Sequence, residues 1–279
     1  MIIERRQYRR FTSHSISLDY FFMLFIGIKV IFVMYMTNWL QISLAILILG
    51  FIAYCLYFPK KERQSITQNI HVIYYINLEQ RKDRKVQFLK NFSEKDYSRI
   101  ERINAFKIEE EGAIGCLMSH IYTLNKALND KNSQTTHVLV CEDDFQIPNM
   151  EYLNKMVDFA LENLPQWDVI MLGHNTFDKE ETEYVHNFGE KIIRVRGSQT
   201  TSGYLIQRDY IPKLLSVYVS VLEEYRNTGV WINEKHCVDR CWLPLQKEDY
   251  WFTFVPSVGG QAPSFSDIQK GFVDPKGKF

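Results

Sequence analysis

Glu142, Asp143 and Asp144 follow directly on His137-Val138-Leu139-Val140-Cys141, an apolar run with the pattern of a buried strand. Three adjacent carboxylates at the end of such a strand repel one another and resist desolvation, so they need compensation. In extended backbone Glu142 and Asp144 project to one side and Asp143 to the other. A hard divalent cation, Mn²⁺ or Mg²⁺, is held by one or two such oxygens, with substrate phosphates completing its shell. Read by spacing alone, the same triplet is equally a solvated turn and helix cap.

Other chemically capable residues are dispersed. Gly112-Ala113-Ile114-Gly115 leads to Ser119-His120 at what reads as a helix start. The two glycines permit close backbone approach to a phosphate or sugar, yet match neither a P-loop nor the dinucleotide-binding fingerprint. Ser119 and His120 are neighbours on a helix and diverge, which argues against a Ser-His nucleophile. Ser119 reads as a cap and His120 as a residue near substrate. Arg81 and Arg84 are able to neutralise phosphate, although exposed helix charge explains them as well. His236-Cys237-Val238-Asp239 lacks a convincing set of four zinc ligands. Asp239 and Asp267 are the remaining carboxylates of interest. The five cysteines are scattered and form no C-x-x-C pair, so they read as structural thiols in a reducing compartment.

The elements that must position these residues alternate. His71–Ile76, His137–Cys141 and Trp167–Leu172 read as strands, with helices over 81–92, from Ile121 onward and over 152–164. Strand-like pieces at 192–195 and 204–206 follow, then a helix near 210–225. This order predicts an α/β domain with a mainly parallel sheet covered on both faces, with ligands beyond the carboxyl ends of its strands. The tail, 255–279, reads as loop. The 279 residues carry 33 basic and 33 acidic side chains, and this balance excludes the basic footprint of a nucleic-acid binder.

Charge is absent where the chain is most apolar. Between Ile16 and Phe58 only Asp19 and Lys29 are charged. Segments 18–37 and 40–58 each approach the ~20 residues needed to span a bilayer, which predicts a transmembrane helical hairpin turning at Thr37-Asn38-Trp39. Arginines at 5, 6, 9 and 10 precede it, and Lys60, Lys61 and Arg63 follow. A hairpin would keep both clusters, and the soluble domain, on the cytoplasmic side. One span plus an interfacial segment would put the domain on the lumenal or extracytoplasmic side. The expected division is a basic flank (1–17), a membrane anchor (18–58), a linker (59–70) and a catalytic domain (71–279). Asn91-Phe92-Ser93 matches the glycosylation acceptor pattern.

Over about residues 72–268 the chain resembles the family 25 glycosyltransferases, which include lipooligosaccharide and collagen hydroxylysine galactosyltransferases. The resemblance is carried by Tyr75-Ile76-Asn77-Leu78 with Arg81, Asp83 and Arg84, by Gly112 to His120, and by Leu139 to Asp144. It continues through Thr201-Ser202-Gly203-Tyr204-Leu205-Ile206, Val238-Asp239, Gln261 and Ser266-Asp267-Ile268. It departs at Ala113, where the family carries an acid.

The resemblance implies a GT-A-like nucleotide-sugar fold and inverting transfer of a hexose, usually galactose from UDP-galactose, with a divalent cation, commonly Mn²⁺. It implies that Glu142 and Asp144 hold the metal, and that Asn77, Arg81, Arg84, Gly115, Ser119, His120, Glu142 and Asp143 meet the donor. Inversion requires a carboxylate to take the acceptor proton, for which Asp239 is the first choice and Asp267 the second. A glycan or lipid-linked acceptor suits a membrane-anchored enzyme. A degenerate membrane scaffold, motivated by Ala113, and a metal-dependent phosphodiesterase are the competing readings.

Overall fold

The computed structural model describes residues 16–57, 62–130, 135–187, 189–266 and 271–273. The chain divides into two compact units, Met1–Lys61 and Glu62–Phe279.

The first unit holds α1, Ile16–Tyr57, one continuous helix of 42 residues. It runs through Thr37-Asn38-Trp39, where the sequence suggested a turn, so the helical hairpin is corrected to a single helix. The triplet contains no proline or glycine to break it. Thr37 Oγ1 donates back to the carbonyls of Val33 and Met34 at 3.0 and 2.9 Å, a bond compatible with helix continuation. Within it, Met23–Ile52 (30 residues, mean hydropathy 1.7) is long and apolar enough to cross a membrane. The hairpin was the premise for a cytoplasmic catalytic domain, and that premise falls with it.

The second unit is built on an eight-stranded sheet. Its strands are β1 (Ile73–Asn77), β2 (Ile100–Asn104), β3 (His137–Glu142), β5 (Val169–Met171), β6 (Asn175–Asn187), β7 (Glu190–Gln199), β8 (Gly203–Gln207) and β9 (Trp251–Val255). Two-residue β4, Phe145–Gln146, lies between β3 and β5 in the chain. The spatial order is β2-β1-β3-β8-β5-β9-β7-β6. β1 pairs in parallel with β2 and β3, and β5 with β9, while β8 runs antiparallel to β3 and β5 and β7 to β6 and β9. The mainly parallel expectation is therefore corrected to a mixed sheet. Parallel neighbours need a long crossover, whereas β6 and β7 form a hairpin turning near Gly189 at φ +83°. The outer strand β6 carries Asp178, Lys179, Glu180, Glu181 and Glu183, charge that blunts an exposed edge.

Helices cover both faces. Side chains alternate along β1 and β3, so Tyr74, Ile76, Val138 and Val140 pack with α3 (Gly112–Asn129) and α5 (Ile211–Thr228). Ile73, Tyr75, Leu139 and Cys141 pack on the other face with α2 (Lys82–Leu89) and α4 (Met150–Asn163). Tyr75 stacks on Phe88 with centroids 4.4 Å apart. Ile66 and Ile70, in the expected linker, are buried in this second core. Short helices α6 (Asn233–His236), α7 (Val238–Cys241) and α8 (Leu243–Glu248) lead into β9. The tail expected to be loop contains three further short strands: β10 (Gly260–Gln261), antiparallel to β4, and the pair β11 (Ser264–Ser266) and β12 (Gly271–Val273).

Phe145, immediately after the acidic triplet, is fully buried against glycines. A Cβ at Gly203 would meet its ring at 2.7–2.9 Å, and one at Gly259 at 2.5 Å. Gly203→Ala should lower unfolding stability by about 1–3 kcal/mol in urea titration through overpacking; an unchanged midpoint would show that Phe145 is free to shift.

Candidate active site

The chain passes from β1 through α2 to β2 on one side of β1, and from β2 through α3 to β3 on the other. The β1–β3 boundary is thus a switch point, the place beyond the carboxyl ends where open α/β sheets bind ligands. Asn77 ends β1 and Glu142 ends β3, with Ile76 paired to Glu142. The acidic triplet sits at this boundary.

Strand alternation sends Glu142 to the α3 face. Its Oε1 accepts a hydrogen bond from Thr201 Oγ1 and lies 3.3 Å from His120 Nε2 and 3.9 Å from Cys116 Sγ. His120 is fully buried, and its Nδ1 is 3.1 Å from the Tyr204 hydroxyl. Cys116 and His120 are four apart on α3 and face the same way. All these contacts converge on Oε1, while the Glu142 side chain keeps 21 % of its surface exposed. Burial pushes the Glu142 carboxyl up, but the His120 bond and charge, the Thr201 hydroxyl and Arg84 together hold it below the usual range. The donor atoms of Cys116, His120 and Glu142 lie within 4.8 Å of one another, a group capable of holding a divalent cation.

Asp143 lies on the α2 side. It accepts from Asn77 Nδ2 at 2.7 Å and Arg84 at 2.8 Å. Burial still raises it against the Arg84 charge and these hydrogen bonds. Asp144 does not project with Glu142 as extended backbone would require, because β3 ends at Glu142 and a turn begins. Its Oδ2 lies 3.8 Å from the Arg84 guanidinium that also holds Asp143. Its Oδ1 is buried without a hydrogen-bond partner among the described residues. Burial, followed by the Glu142 charge, pushes the Asp144 carboxyl up to about 8. The turn itself is pinned: Ala262 N donates to the Asp144 carbonyl at 2.7 Å, and Asn91 bridges the Phe145 carbonyl and the Ile147 amide at 2.8 and 3.0 Å. That engagement, with Phe92 and Ser93 buried, removes Asn91 as a glycan acceptor in the folded chain.

The other expected site residues are spread over several elements. Asn77 joins the acidic turn to β2, since its Oδ1 accepts from Arg102 Nε at 2.9 Å. Arg81 pairs with Asp83 at 3.0 Å near the start of α2. Gly115 and Ser119 serve the packing of residues 105–111 on α3. A Cβ at Gly115 would lie 2.4 Å from the Phe106 carbonyl, and Ser119 Oγ accepts from Phe106 N at 2.9 Å while donating to Gly115 O at 2.6 Å. Asp239 lies across the site on α7, its Oδ2 accepting from Thr200 N at 3.2 Å. Burial raises its carboxyl, the Thr200 amide opposes that, and Glu142 adds to it. His236 is buried, with Nδ1 accepting from Ile232 N at 3.0 Å, a structural role. Asp267 lies outside the described residues.

Thr200 and Arg102 were missed as site residues from sequence, and Cys116, Thr201 and Tyr204 entered only through the family resemblance. The signal for Arg102 was hidden in β2, which the hydrophobic pattern did not reveal. Beyond Arg102, a groove of about 650 Å³ is lined by Asn104, Phe106, Lys107, Tyr122 and Lys126 among others. Phe106 and Tyr122 meet edge-on at 6.0 Å and expose 41 and 50 % of their surface.

No family model matches the chain. In sequence it is similar to a glycosyltransferase 25 family member of Aedes aegypti, 27% identical over 175 residues, and to procollagen galactosyltransferase 2 of Homo sapiens, 25% identical over 171 residues. Each alignment covers 51% of this chain and 27% of the relative, so the chain spans about a quarter of their length. Among solved structures, a glycosyltransferase involved in glycosylation of the major capsid of PBCV-1 aligns with a TM-score of 0.38 and 12% identity, covering 65% of this chain and 91% of that one.

A carboxyl raised on folding keeps in the native state a proton that the unfolded chain releases, so stability falls as pH climbs from the ordinary value to the folded one. For Asp144 that window runs from 3.8 to about 8. In chelator-treated protein, Asp144→Asn should raise Tm more at pH 8 than at pH 5; an equal change at both would contradict the assigned ionisation.

Proposed function

We propose that this chain is a membrane-anchored, metal-dependent inverting glycosyltransferase that moves a hexose, galactose from UDP-galactose, onto a hydroxyl of a glycan, glycolipid or glycoprotein. The observation that carries the reading is the acidic turn at the switch point, where Asp144 is buried, raised, and left with an unpartnered oxygen. The sequence similarity to two glycosyltransferases over half the chain supports the same class.

In this reading a hard divalent cation, Mn²⁺ or Mg²⁺, would be held by Asp144 and by Glu142 through the oxygen not used by His120 and Thr201. When bound, the cation supplies Lewis-acid neutralisation of charge developing on a leaving diphosphate. Cys116 and His120 are better read as support. A thiol suits softer metals, and both His120 nitrogens already face partners. His120 fixes Glu142 as an outer partner fixes a ligand.

Each remaining residue has a role in this scheme. Arg84 holds the carboxylates together and, with Arg81, presents positive charge toward phosphate. Asn77 and Asp143 link that charge to Arg102, and the groove with Phe106 and Tyr122 takes the nucleoside end of the donor. Gly115 and Ser119 shape the groove by fixing residues 105–111. Asp239 takes the proton of the acceptor hydroxyl. A raised carboxylate is the better base here, because its basicity lies closer to working pH. Asp267 is the second choice for that role. In α1, Met23–Ile52 is the membrane anchor, which keeps the domain at a bilayer and favours a lipid-linked or membrane-bound acceptor.

Detergent-solubilised full-length protein should turn over one member of a nucleotide-sugar panel in the presence of Mn²⁺. Asp144→Ala should abolish this turnover, and Asp239→Asn should lower kcat by about 10²–10⁴-fold with donor binding retained. Absence of donor turnover and donor binding under every metal condition would sink the transferase reading in favour of a scaffold. Nucleotide-sugar cleavage indifferent to any acceptor would favour a phosphodiesterase.

A further inference from the structure

Thr200, between β7 and β8, has φ +72°, a left-handed conformation that costs a β-branched residue. It carries a second cost, because its Oγ1 is buried without a hydrogen-bond partner. Glycine would adopt this backbone freely and leave no hydroxyl stranded.

Both costs fall at one point between two carboxylates. The backbone N–H of Thr200 donates to Asp239 Oδ2 at 3.2 Å. The next residue, Thr201, turns its hydroxyl onto Glu142 Oε1, and the one after, Ser202, accepts from the Glu142 amide at 2.9 Å through its carbonyl. Three consecutive residues therefore grip the carboxylate on β3 and the one on α7. The grip is anchored on both sides, since β8 pairs with β3 from Gly203 onward and the carbonyl of Ser198 accepts from Trp242 Nε1 and Gln246 Nε2 at 3.2 and 3.0 Å. Strain persists only where the surroundings over-determine it, and here those surroundings are the sheet and the α7–α8 segment.

We propose that Thr200 is a positioning residue whose backbone amide, held in a strained left-handed conformation by the sheet and the α7–α8 segment, fixes Asp239 relative to Glu142 for catalysis. The inference rests on the transferase reading, with Asp239 as base. Thr200 touches no reacting atom. Its amide aims one Asp239 oxygen and leaves the other for the acceptor hydroxyl, while Thr201 holds Glu142 on the donor side. Glycine relieves the strain but also opens conformations of both signs of φ to the turn, so the amide is aimed less tightly.

The test is Thr200→Gly in the full-length protein in detergent, assayed for acceptor-dependent UDP release from UDP-galactose with Mn²⁺ and a panel of glycan and lipid-linked acceptors across pH, alongside thermal unfolding. Relief of strain should raise Tm by roughly 2–8 °C. At the same time kcat should fall ~10-fold with donor KM little changed, as expected of a misaimed base. The acid limb of the kcat profile should move to higher pH, because a looser Thr200 amide stabilises ionised Asp239 less. A higher Tm with unchanged kcat and profile would overturn the positioning role alone. A lower Tm would show that no strain is stored and overturn it likewise. A wild type that releases no UDP and binds no UDP-galactose would overturn the reading beneath it together with the inference.

Discussion

Three consecutive carboxylates at the buried end of β3 must be compensated, and most of the surrounding architecture answers that demand. Glu142 is answered from the α3 face by His120, itself bonded to Tyr204, and from the β7–β8 turn by Thr201. Asp143 is answered from the α2 face by Arg84 and Asn77. Asp144 has the same Arg84 nitrogen at 3.8 Å and a backbone amide, and its Oδ1 has no hydrogen-bond partner among the described residues. Two of three adjacent acids are satisfied and the third is not, which is the observation on which the proposed cation site rests.

The compensation comes from both sides of the sheet, which ties the site to the core. Tyr204 belongs to the cluster packed by α3 and α5. Phe145, one residue past the acids, belongs to the cluster packed by α2 and α4 and is seated against Gly203 and Gly259. Asn91 clamps the strand that follows. The acidic turn cannot relax toward water without disturbing both cores.

Much of this was legible in the sequence, for identifiable reasons. β1, β3 and β8 are short apolar runs, and α3, α4 and α5 have clear apolar faces, so local pattern revealed them. β2 was hidden because two of the five residues in Ile100-Glu101-Arg102-Ile103-Asn104 are charged, and β6 because its centre, Asp178 to Glu183, is polar and mostly charged. The antiparallel insertion of β8 between β3 and β5 is a long-range event with no local trace. Alternation correctly divided Glu142 from Asp143, but failed at Asp144 because the strand stops one residue earlier than that reasoning required. The hairpin in α1 was inferred from hydrophobic length, yet no residue at 37–39 breaks a helix. Nothing in Thr200 announces a left-handed backbone; only its neighbours in space do.

The central claim is that the acidic turn is built around a divalent cation which displaces the Asp144 proton. Calorimetric titration of Mn²⁺ with UDP into the full-length protein at pH 7, in two buffers of different ionisation enthalpy, tests it directly. The account predicts one ion per chain, proton release on binding, and loss of both in Asp144→Asn. Binding without proton release, or binding unchanged by that substitution, would contradict it.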